Sequence, residues 1–538
     1  MQRVMTTVKR LFLLTLAMHL GQFCFGQEPA YHWGEPATND YLERRIDKLL
    51  VLDQQGFVLL RKYTNETFTS FYWIESYSPE LKLQSTVPIE FNGGVMGDSY
   101  DIEDILVANG KIFAFISHWN KSTGKHTLSV SQLSLSGELK HMKDLDIIPA
   151  KKMGNRGFFN FFLSENQQKL VLLSEQPFVK KTMEKMRLTC FDTDDFSIDW
   201  TYDHEYSIES SKALHHNVVV DNNGRAFLFK KTYAKGWYYY LYSYSVDTKW
   251  QEYQVEGLEG LAVLDHKMGT NINGEFYLFA TYTEKESSFK KHLDGYWYFA
   301  LNKGLEQKTQ LRSTWDAELL AGYLLFRKTV DDPEEEKLQD FYIKDVLARK
   351  DGNLLILMEQ LTTRSSTIEG TSPLQYQYER YYDDLLVLNL DASDGETIWW
   401  QCFKKDQTLR NKYEVDEYGS FVYHFKEDRL FILWSNPRLS LPSIPPAGWT
   451  EPDGTKYVKK KAFDEKTGYA TFMRVVEPNG ELAYPNRKYG LPLLNLHRGA
   501  VFEMSLTTPF FFSLEGDLVV LATMNNGGKR YRFGFIDL

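Results

Sequence analysis

The stretch DILVANGKIFAFIS, residues 104–117, decides the fold of this chain. An apolar segment leads into the pair Asn109-Gly110, and a second, more apolar segment runs from Ile112 to Ser117. Asn-Gly is a common link between antiparallel strands, because both positions readily adopt positive φ. The stretch therefore predicts a β-hairpin, whose two strands we name a and b.

The residues that follow complete a four-stranded unit. From Thr127 to Leu135 apolar and polar residues alternate, which is typical of a strand that is covered on one face. Ser136-Gly137 then turns the chain, and Leu139 begins another strand. The unit is thus interpreted as strands a to d joined by short connections.

The a–b pattern recurs eight times, at intervals of roughly 50 to 90 residues, which is a spacing typical of radial repeats. The eight predicted b strands begin at Phe57, Lys111, Lys169, Arg225, Glu275, Asn353, Arg429 and Asp517. A series of small antiparallel sheets predicts an all-β fold, the β-propeller. We expect eight four-stranded blades, with seven blades as the alternative.

The eighth repeat ends after strand c, at the last residues of the sequence. A three-stranded final blade would leave an exposed edge, and proteins usually cover such edges. We therefore expect a segment within residues 27–41 to supply the missing outer strand and so to close the ring.

Residues 1–26 have the layout of a cleavable secretory signal. Three basic residues precede the apolar segment Leu11–Leu20, and the small residues Cys24 and Gly26 stand just before Gln27. The apolar segment is too short to cross a bilayer comfortably. We expect residues 27–538 to form a single exported propeller domain, located in the periplasm, at the cell surface or outside the cell.

The charge of the chain argues against one class of partner. The formal net charge is −10, and it becomes −13 without the three basic residues of the N-terminal segment. An acidic surface repels phosphate backbones, so we expect no nucleic-acid binding. No later segment is apolar and long enough to span a membrane. We expect a monomer without a cofactor.

Four long insertions interrupt the repeats, at about 312–340, 360–384, 435–468 and 485–508. All four are b–c or d–a connections, which lie at one end of an antiparallel meander. Residues 312–340 are expected to hold two helices, the first at 316–326 and the second beginning at Asp332. Long loops in compact domains often carry function. The insertions therefore predict a wall beside the central funnel where a partner binds, the alternative being that they shield blade edges.

The candidate binding residues in these insertions are aromatic or charged. Aromatic side chains there could stack on sugar rings or grip a peptide, and they could equally pin the loops onto the blades. The candidates are Trp315, Asp316, Tyr376, Tyr378, Arg380, Trp449, His497 and Arg498.

Metal and catalytic sites have weaker support in the sequence. His215, His216 and His266 are weak candidates for metal ligands, but they lack a fixed ligand spacing, so no metal site is predicted. No catalytic motif is present. Four loop acids could still meet over the funnel, and they are Asp265, Asp316, Glu318 and Glu503.

The eight b-strand openings make the chain resemble β-propeller proteins in general, without pointing to a characterised family. The N-terminal segment and the lack of a disulfide framework resemble exported bacterial proteins. We expect a binding scaffold that engages a protein or a glycan through the face bearing the insertions. The alternative is a hydrolase or lyase that acts on polysaccharide with carboxylates in the funnel, whose catalytic residues the sequence does not identify.

Overall fold

The computed structural model describes most of the chain. The described residues are 30–33, 37–38, 45–52, 56–64, 70–90, 99–209, 213–233, 236–271, 273–284, 292–327, 338–368, 375–405, 407–411, 420–437, 469–483, 491–493, 496–497, 500–505, 511–514, 517–524 and 530–537. The predicted secretory signal at residues 1–26 lies outside them. The chain divides into two compact units, one made of residues 40–416 and the other of residues 1–39 with 417–538.

Two short strands, β1 (Ala30–Trp33) and β2 (Ala37–Thr38), come first in the described chain. Blades one to four then follow in the unit 40–416, and each is an antiparallel meander. The first two blades contain β3 (Arg45–Val51), β4 (Phe57–Thr64), β5 (Ser70–Tyr77), β6 (Leu83–Pro88), β7 (Ser99–Ala108), β8 (Lys111–Asn120), β9 (Lys125–Leu133) and β10 (Leu139–Pro149). The next two contain β11 (Phe158–Leu163), β12 (Lys169–Glu175), β13 (Met183–Asp192), β14 (Ile198–Glu209), β15 (Ala213–Val220), β16 (Ala226–Tyr233), β17 (Trp237–Tyr244) and β18 (Gln251–Tyr253).

Blades five and six complete this unit and include additional elements. The fifth blade contains β19 (Ala262–Thr270), β20 (Phe276–Thr283), β22 (Gly295–Leu301) and β23 (Gln307–Thr314). A small separate sheet pairs β21 (His292–Leu293) with β24 (Leu338–Gln339), and helix α1 (Ala317–Arg327) precedes β24. The sixth blade contains β25 (Phe341–Ala348), β26 (Leu354–Ile368), β27 (Gln375–Leu390) and β28 (Thr397–Phe403), and β29 (Gln407–Asn411) also pairs with β27.

The second unit contains the seventh blade and a larger terminal sheet. The seventh blade consists of β30 (Phe421–Lys426), β31 (Arg429–Pro437), β32 (Tyr469–Val476) and β33 (Leu491–Leu493). The terminal sheet has seven strands: β1, β2, β34 (Leu496–His497), β35 (Ala500–Ser505), β36 (Phe511–Leu514), β37 (Asp517–Met524) and β38 (Arg530–Asp537).

The fold is an all-β propeller with seven blades, each built on a four-stranded meander. The main prediction of eight such blades is not matched, and seven is the alternative that the sequence left open. The eighth repeat differs because its strands belong to the seven-stranded terminal sheet. In that sheet β1 pairs antiparallel with β38, from Ala30 opposite Asp537 to Trp33 opposite Gly534. An N-terminal strand within residues 27–41 therefore does pair with the last strand, as predicted.

The inserted segments differ in part from the prediction. The first predicted helix of 312–340 is present as α1, and the second lies outside the described residues. The prediction of a loop at 360–384 is wrong for its described residues. They belong to β26 and β27, which continue through this segment as one long hairpin. Residues 438–468 of the third insertion lie outside the described part, and the fourth contains β33, β34 and β35.

The hairpin from which the fold was predicted has the expected geometry. Asn109 and Gly110 have φ values of +50° and +69°, and Ala108 pairs with Lys111 across the turn. Both central residues thus lie in the left-handed region that a two-residue hairpin link requires.

The apolar core of the unit 40–416 lies between successive blades. All eight residues of β20 are buried, because sheets cover both faces of this b strand. Between the fourth and fifth blades, Phe227 stacks on Phe276 with ring centroids 4.4 Å apart, and Leu278 and Trp297 belong to the same cluster. The first strands of neighbouring blades also touch, as β15 does with β19 and β19 with β25.

Ile536 tests the pairing of the two ends of the chain. It is fully buried in β38, opposite Tyr31 of β1 and Leu518 of β37. Ile536→Ala is expected to lower the free energy of unfolding by about 2–5 kcal/mol, the usual cost of truncating a buried aliphatic side chain. Urea denaturation followed by tryptophan fluorescence measures this change.

The matched control is Val246→Ala, which truncates an exposed aliphatic side chain in a turn. It is expected to change the free energy of unfolding by less than about 0.5 kcal/mol. Equal denaturation curves for Ile536→Ala and the wild type would contradict the observed packing.

Candidate functional site

A cavity of about 810 Å³ opens where the second blade connects to the third. In every blade the b–c and d–a connections lie at the same end of the strands, and this cavity lies at that end. Its lining residues come from the connections between β10 and β11 and between β12 and β13, from the ends of these four strands, and from β14. They are Pro149, Asn155, Gly157, Phe158, residues 175–179, residues 182–185 and Glu205.

The connection between β12 and β13 is held in place by a side chain of the preceding connection. The Asn155 amide nitrogen donates to the carbonyl oxygen of Phe178 at 2.8 Å, and the Phe178 N–H donates to the Asn155 amide oxygen at 2.9 Å. The Thr182 hydroxyl donates to the carbonyl oxygen of Val179 at 2.9 Å. One side wall of the cavity is therefore formed by a loop with defined hydrogen bonds.

Gly157 permits the close approach that shapes the same wall. Its φ is +80°, and a Cβ atom at this position would lie 2.3 Å from the carbonyl oxygen of Glu175. Such a contact is sterically forbidden, so a residue without a side chain is required where β11 begins beside the end of β12.

The rim of the cavity exposes large apolar side chains. Phe158 is 70 % exposed and Val179 is 54 % exposed, and Phe178 and Met183 are also exposed. Contiguous exposed apolar surface costs free energy in water, and in monomeric proteins it usually marks an interaction site. The rim is therefore the part of the cavity best suited to contact a partner.

One lining residue of the cavity, Glu184, belongs to a buried ion pair. Lys230 of β16 is completely buried, and its Nζ lies 2.6 Å from Oε2 of Glu184. Burial lowers the pKa of Lys230, and the negative charge of Glu184 opposes that shift. The Tyr206 ring lies 4.7 Å from the Lys230 ammonium. These contacts join the third blade to the fourth at Glu184, which also lines the cavity.

A second, exposed ion pair lies at the edge of the cavity. Lys185 Nζ is 2.8 Å from Oε2 of Glu205, and about half of each side chain is exposed. Solvent screens such a pair, so it adds little to stability. It places beside the apolar rim a carboxylate that accepts hydrogen bonds and an ammonium that donates them.

Exposed apolar residues of the unit 40–416 are concentrated at the same end of the strands. Nine described residues of this kind lie at the b–c and d–a end: Phe71, Ile147, Met153, Phe158, Phe178, Val179, Met183, Tyr233 and Tyr238. Six lie nearer the a–b and c–d end: Leu83, Leu135, Met142, Ile198, Val246 and Ile398. The nine residues belong to the first four blades, whereas the predicted site residues belong to later repeats.

Two of the predicted binding residues have roles in the local structure. Trp315 is buried, and its indole N–H donates to the carbonyl oxygen of Leu293 at 3.0 Å. Asp316 caps helix α1, because its Oδ1 accepts the N–H groups of Glu318 at 2.6 Å and Leu319 at 3.1 Å.

The other predicted binding residues are only partly described. Tyr376, Tyr378 and Arg380 lie in β27, where the Arg380 guanidinium is 6.0 Å from the Tyr378 ring. His497 lies in β34, and Trp449 and Arg498 are outside the described residues. The structure therefore does not bring these candidates together as one described site.

The histidines considered as metal ligands lie in two strands. His215 and His216 are in β15, and His266 is in β19. The His266 ring packs 4.7 Å from that of Phe229, and burial lowers its pKa to about 4. Within the described part of the chain, no group of three or more His, Cys, Asp or Glu side chains is arranged to hold a metal ion.

The described loop acids are engaged with the backbone. Asp265 Oδ2 accepts the N–H of Ile343 at 2.8 Å, which links β19 to β25. Asp316 caps α1, Glu318 is in the first turn of that helix, and the side chain of Glu503 is outside the description. Asp265 and Asp316 thus each accept hydrogen bonds from backbone N–H groups.

No family model matches the chain, and no curated protein matches it. Among solved structures, the chain is similar to the WD40 domain of SCAP from fission yeast, with 8 % sequence identity and a TM-score of 0.37. The alignment covers 95 % of this chain and 98 % of the SCAP domain.

Two other propeller domains give comparable values. The Nup133 β-propeller domain of Vanderwaltozyma polyspora has 8 % identity, covers 80 % of this chain and 99 % of its own, and has a TM-score of 0.35. The propeller domain of the Trilobed protease from Pyrococcus furiosus has 10 % sequence identity and a TM-score of 0.31. The alignment covers 71 % of this chain and 92 % of the protease domain. The interpretation of the site therefore depends on its own geometry.

No helix among the described residues combines the length and the apolar character needed to cross a bilayer.

The buried Glu184–Lys230 pair can be tested by removing one charge. Glu184→Gln would leave the ammonium of Lys230 buried without its anionic partner, so the free energy of unfolding is expected to fall by about 3–5 kcal/mol. Urea denaturation at neutral pH measures this loss.

Glu205→Gln is the matched control, since it removes the same charge from the exposed pair with Lys185. Its expected effect is below about 1 kcal/mol. Equal effects of the two substitutions would show that the Glu184–Lys230 pair is not buried as described.

The lowered pKa of His266 predicts a pH dependence of stability. The unfolded chain takes up a proton near pH 6.5, whereas folded His266 does so near pH 4. Stability should therefore fall as the pH falls from about 6.5 to 4, because the unfolded state binds the extra proton in this range. In His266→Gln, denaturant midpoints at pH 7 and pH 5 should differ less than in the wild type, and an unchanged difference would refute the shift.

Proposed function

We propose that this chain is a non-enzymatic binding protein that engages a protein partner through the b–c and d–a end of its first four blades. Export through the N-terminal segment is part of the proposal and is supported by the sequence of residues 1–26. The partner contacts the cavity between the second and third blades and the apolar rim around it.

The observation that carries the proposal is the cavity of about 810 Å³ with its rim of exposed apolar side chains. A concave site of this size with a few polar groups is typical of ligand pockets, and exposed aromatic and Met side chains are typical of protein interfaces. The hydrogen bonds between Asn155 and Phe178 fix the conformation of the rim loop before a partner binds. A preformed rim reduces the entropy that binding must otherwise overcome.

The composition of the rim favours a protein over a glycan. Val179 and Met183 offer only apolar surface, which gains free energy by contacting apolar side chains of a partner. A sugar ring presents many hydroxyl groups, which lose free energy when they are buried without hydrogen bonds. The rim therefore fits a peptide or protein surface with an apolar anchor.

The enzymatic alternative has less support. Most glycoside hydrolases use two carboxylates that flank the scissile bond. Among the described loop acids, Asp265 and Asp316 accept backbone hydrogen bonds instead. These contacts favour structural roles for both side chains.

Selection of peptides on the intact protein tests the proposal. A phage-displayed library of random dodecapeptides is selected on the wild-type chain, and dissociation constants of the enriched peptides are measured by fluorescence polarisation. Phe158→Ser and Phe178→Ser are each expected to weaken binding about tenfold or more, which corresponds to the loss of one well-buried apolar contact.

The control is Ile198→Ser, which removes an exposed apolar side chain at the other end of the third blade. It is expected to leave the dissociation constants unchanged. Enriched peptides that bind all three variants like the wild type would refute the proposed surface, as would a selection that yields no saturable binder.

A further inference from the structure

The hairpin of the sixth blade extends well beyond its neighbouring strand. β26 pairs with β25 only from Leu354 to Gln360, whereas it pairs with β27 as far as Ile368. On the other side of the hairpin, β29 pairs with β27 at residues 378–382. Within the described ranges, no strand pairs with the outer side of residues 361–368.

One hydrogen bond shows which backbone groups face this open side. The N–H of Leu361 donates to the carbonyl oxygen of Asp340 at 3.0 Å, on the side of β25 and away from β27. Backbone groups in a strand point alternately to its two neighbours. The N–H and C=O groups of Thr363, Ser365 and Thr367 therefore point to the open side.

The edge lacks the devices by which proteins usually protect such strands. Residues 361–367, LTTRSST, contain no proline, no lysine and no acid, and Thr363 to Thr367 are exposed. No register shift interrupts the pairing from Leu361 to Ile368. A regular, exposed edge is a template for the addition of another strand.

Arg364 is the one charged residue of this edge. Its guanidinium lies 5.1 Å from the centre of the Tyr381 ring, and it stands opposite Glu379 in the register of the hairpin. Stacking on the ring limits the conformational freedom of the side chain, which keeps the positive charge at a defined place beside the edge.

We propose that residues 361–367 accept an extended segment of a partner protein as an additional strand, with an acidic residue of that segment placed next to Arg364. The backbone groups of Thr363, Ser365 and Thr367 supply the hydrogen bonds, and the charge pair fixes the register. This surface lies on the sixth blade and shares no residue with the cavity, so it goes beyond the proposed function and can fail independently of it.

The probe is a capped nine-residue peptide of alternating Thr and Val with Glu at its centre, labelled with a fluorophore and titrated with the full-length chain. A second peptide carries Lys at the centre. The Glu peptide is expected to bind about three- to tenfold more tightly, because the Lys peptide exchanges an attractive cross-strand pair for a repulsive one. Equal affinities, or no saturable binding of the Glu peptide, would overturn the proposal.

N-methylation tests strand addition itself. Two further Glu peptides carry N-methyl groups on alternate residues, in the two possible phases. One phase blocks the N–H groups that face the protein and is expected to abolish binding, and the other blocks only the groups that face solvent and should bind like the parent peptide. Equal loss in both phases would overturn strand addition.

Variants of the chain locate the binding edge. Ser365→Pro removes an outward-facing N–H, and proline is tolerated at a strand edge, so binding should fall at least tenfold while the thermal midpoint changes little. Arg364→Gln should remove the preference for the Glu peptide. Arg312→Gln is the matched control, since Arg312 also lies over a tyrosine ring, that of Tyr282, at 5.1 Å.

Three outcomes would refute this location of the site. Binding that survives Ser365→Pro would place the peptide elsewhere, as would equal effects of Arg364→Gln and Arg312→Gln. Concentration-dependent dimerisation of the wild type that Ser365→Pro abolishes, without peptide binding, would assign the edge to a second copy of this chain instead of a partner.

Discussion

The structure depends on burying the second strand of each blade from both faces. β20 achieves this completely, and the apolar clusters that result lie between neighbouring sheets rather than inside any one of them. Each blade of the unit 40–416 is thus stable only through its neighbours, because a single meander cannot cover both of its faces. The constraint acts on the strands and leaves their connections free to vary, so that apolar side chains on loops such as Phe158 and Phe178 remain available for binding.

Buried charges lie within or beside these apolar strands, and each has an oppositely charged partner. Arg61 of β4 contacts Glu75 of β5 at 2.5 Å, Lys405 contacts Glu359 of β26, and Lys230 contacts Glu184, a lining residue of the cavity. Burial lowers the pKa of Lys405 as it does that of Lys230, and the adjacent glutamate opposes the shift in each case. Replacing such a pair by apolar residues often leaves the free energy of unfolding unchanged, whereas removing one partner lowers it strongly. The Arg61–Glu75 pair thus links two adjacent strands, whereas the Lys230–Glu184 pair links the third blade to the fourth.

The sequence predicted the elements whose signals are local. The b strands begin at the predicted residue in five repeats, and one residue later at Ala226, Phe276 and Leu354, because a polar turn followed by an apolar run needs no distant partner. The outer part of the hairpin of β26 and β27 was predicted as a loop, since residues 361–367 are mostly polar and show no apolar strand pattern. The cavity was missed because its wall depends on Asn155 bonding to Phe178, which is 23 residues away. The apolar run Pro177-Phe178-Val179 in an otherwise polar connection was the available signal.

The cavity and the hairpin edge lie at the same end of the strands, but different interactions would drive binding at each. Contacts at the apolar rim depend on the area removed from water and respond little to salt. An acidic segment that approaches Arg364 meets a chain with a formal net charge of −10, but that field is screened beyond about 8 Å at physiological ionic strength. Close to the edge, the local charges are the Arg364 guanidinium over the Tyr381 ring and the carboxylate of Glu379 opposite it. Added salt weakens both the attraction of the acidic segment by Arg364 and its repulsion by the net negative charge of the chain. Because these two contributions oppose each other, the affinity at the edge should depend on salt less steeply than that of an isolated ion pair.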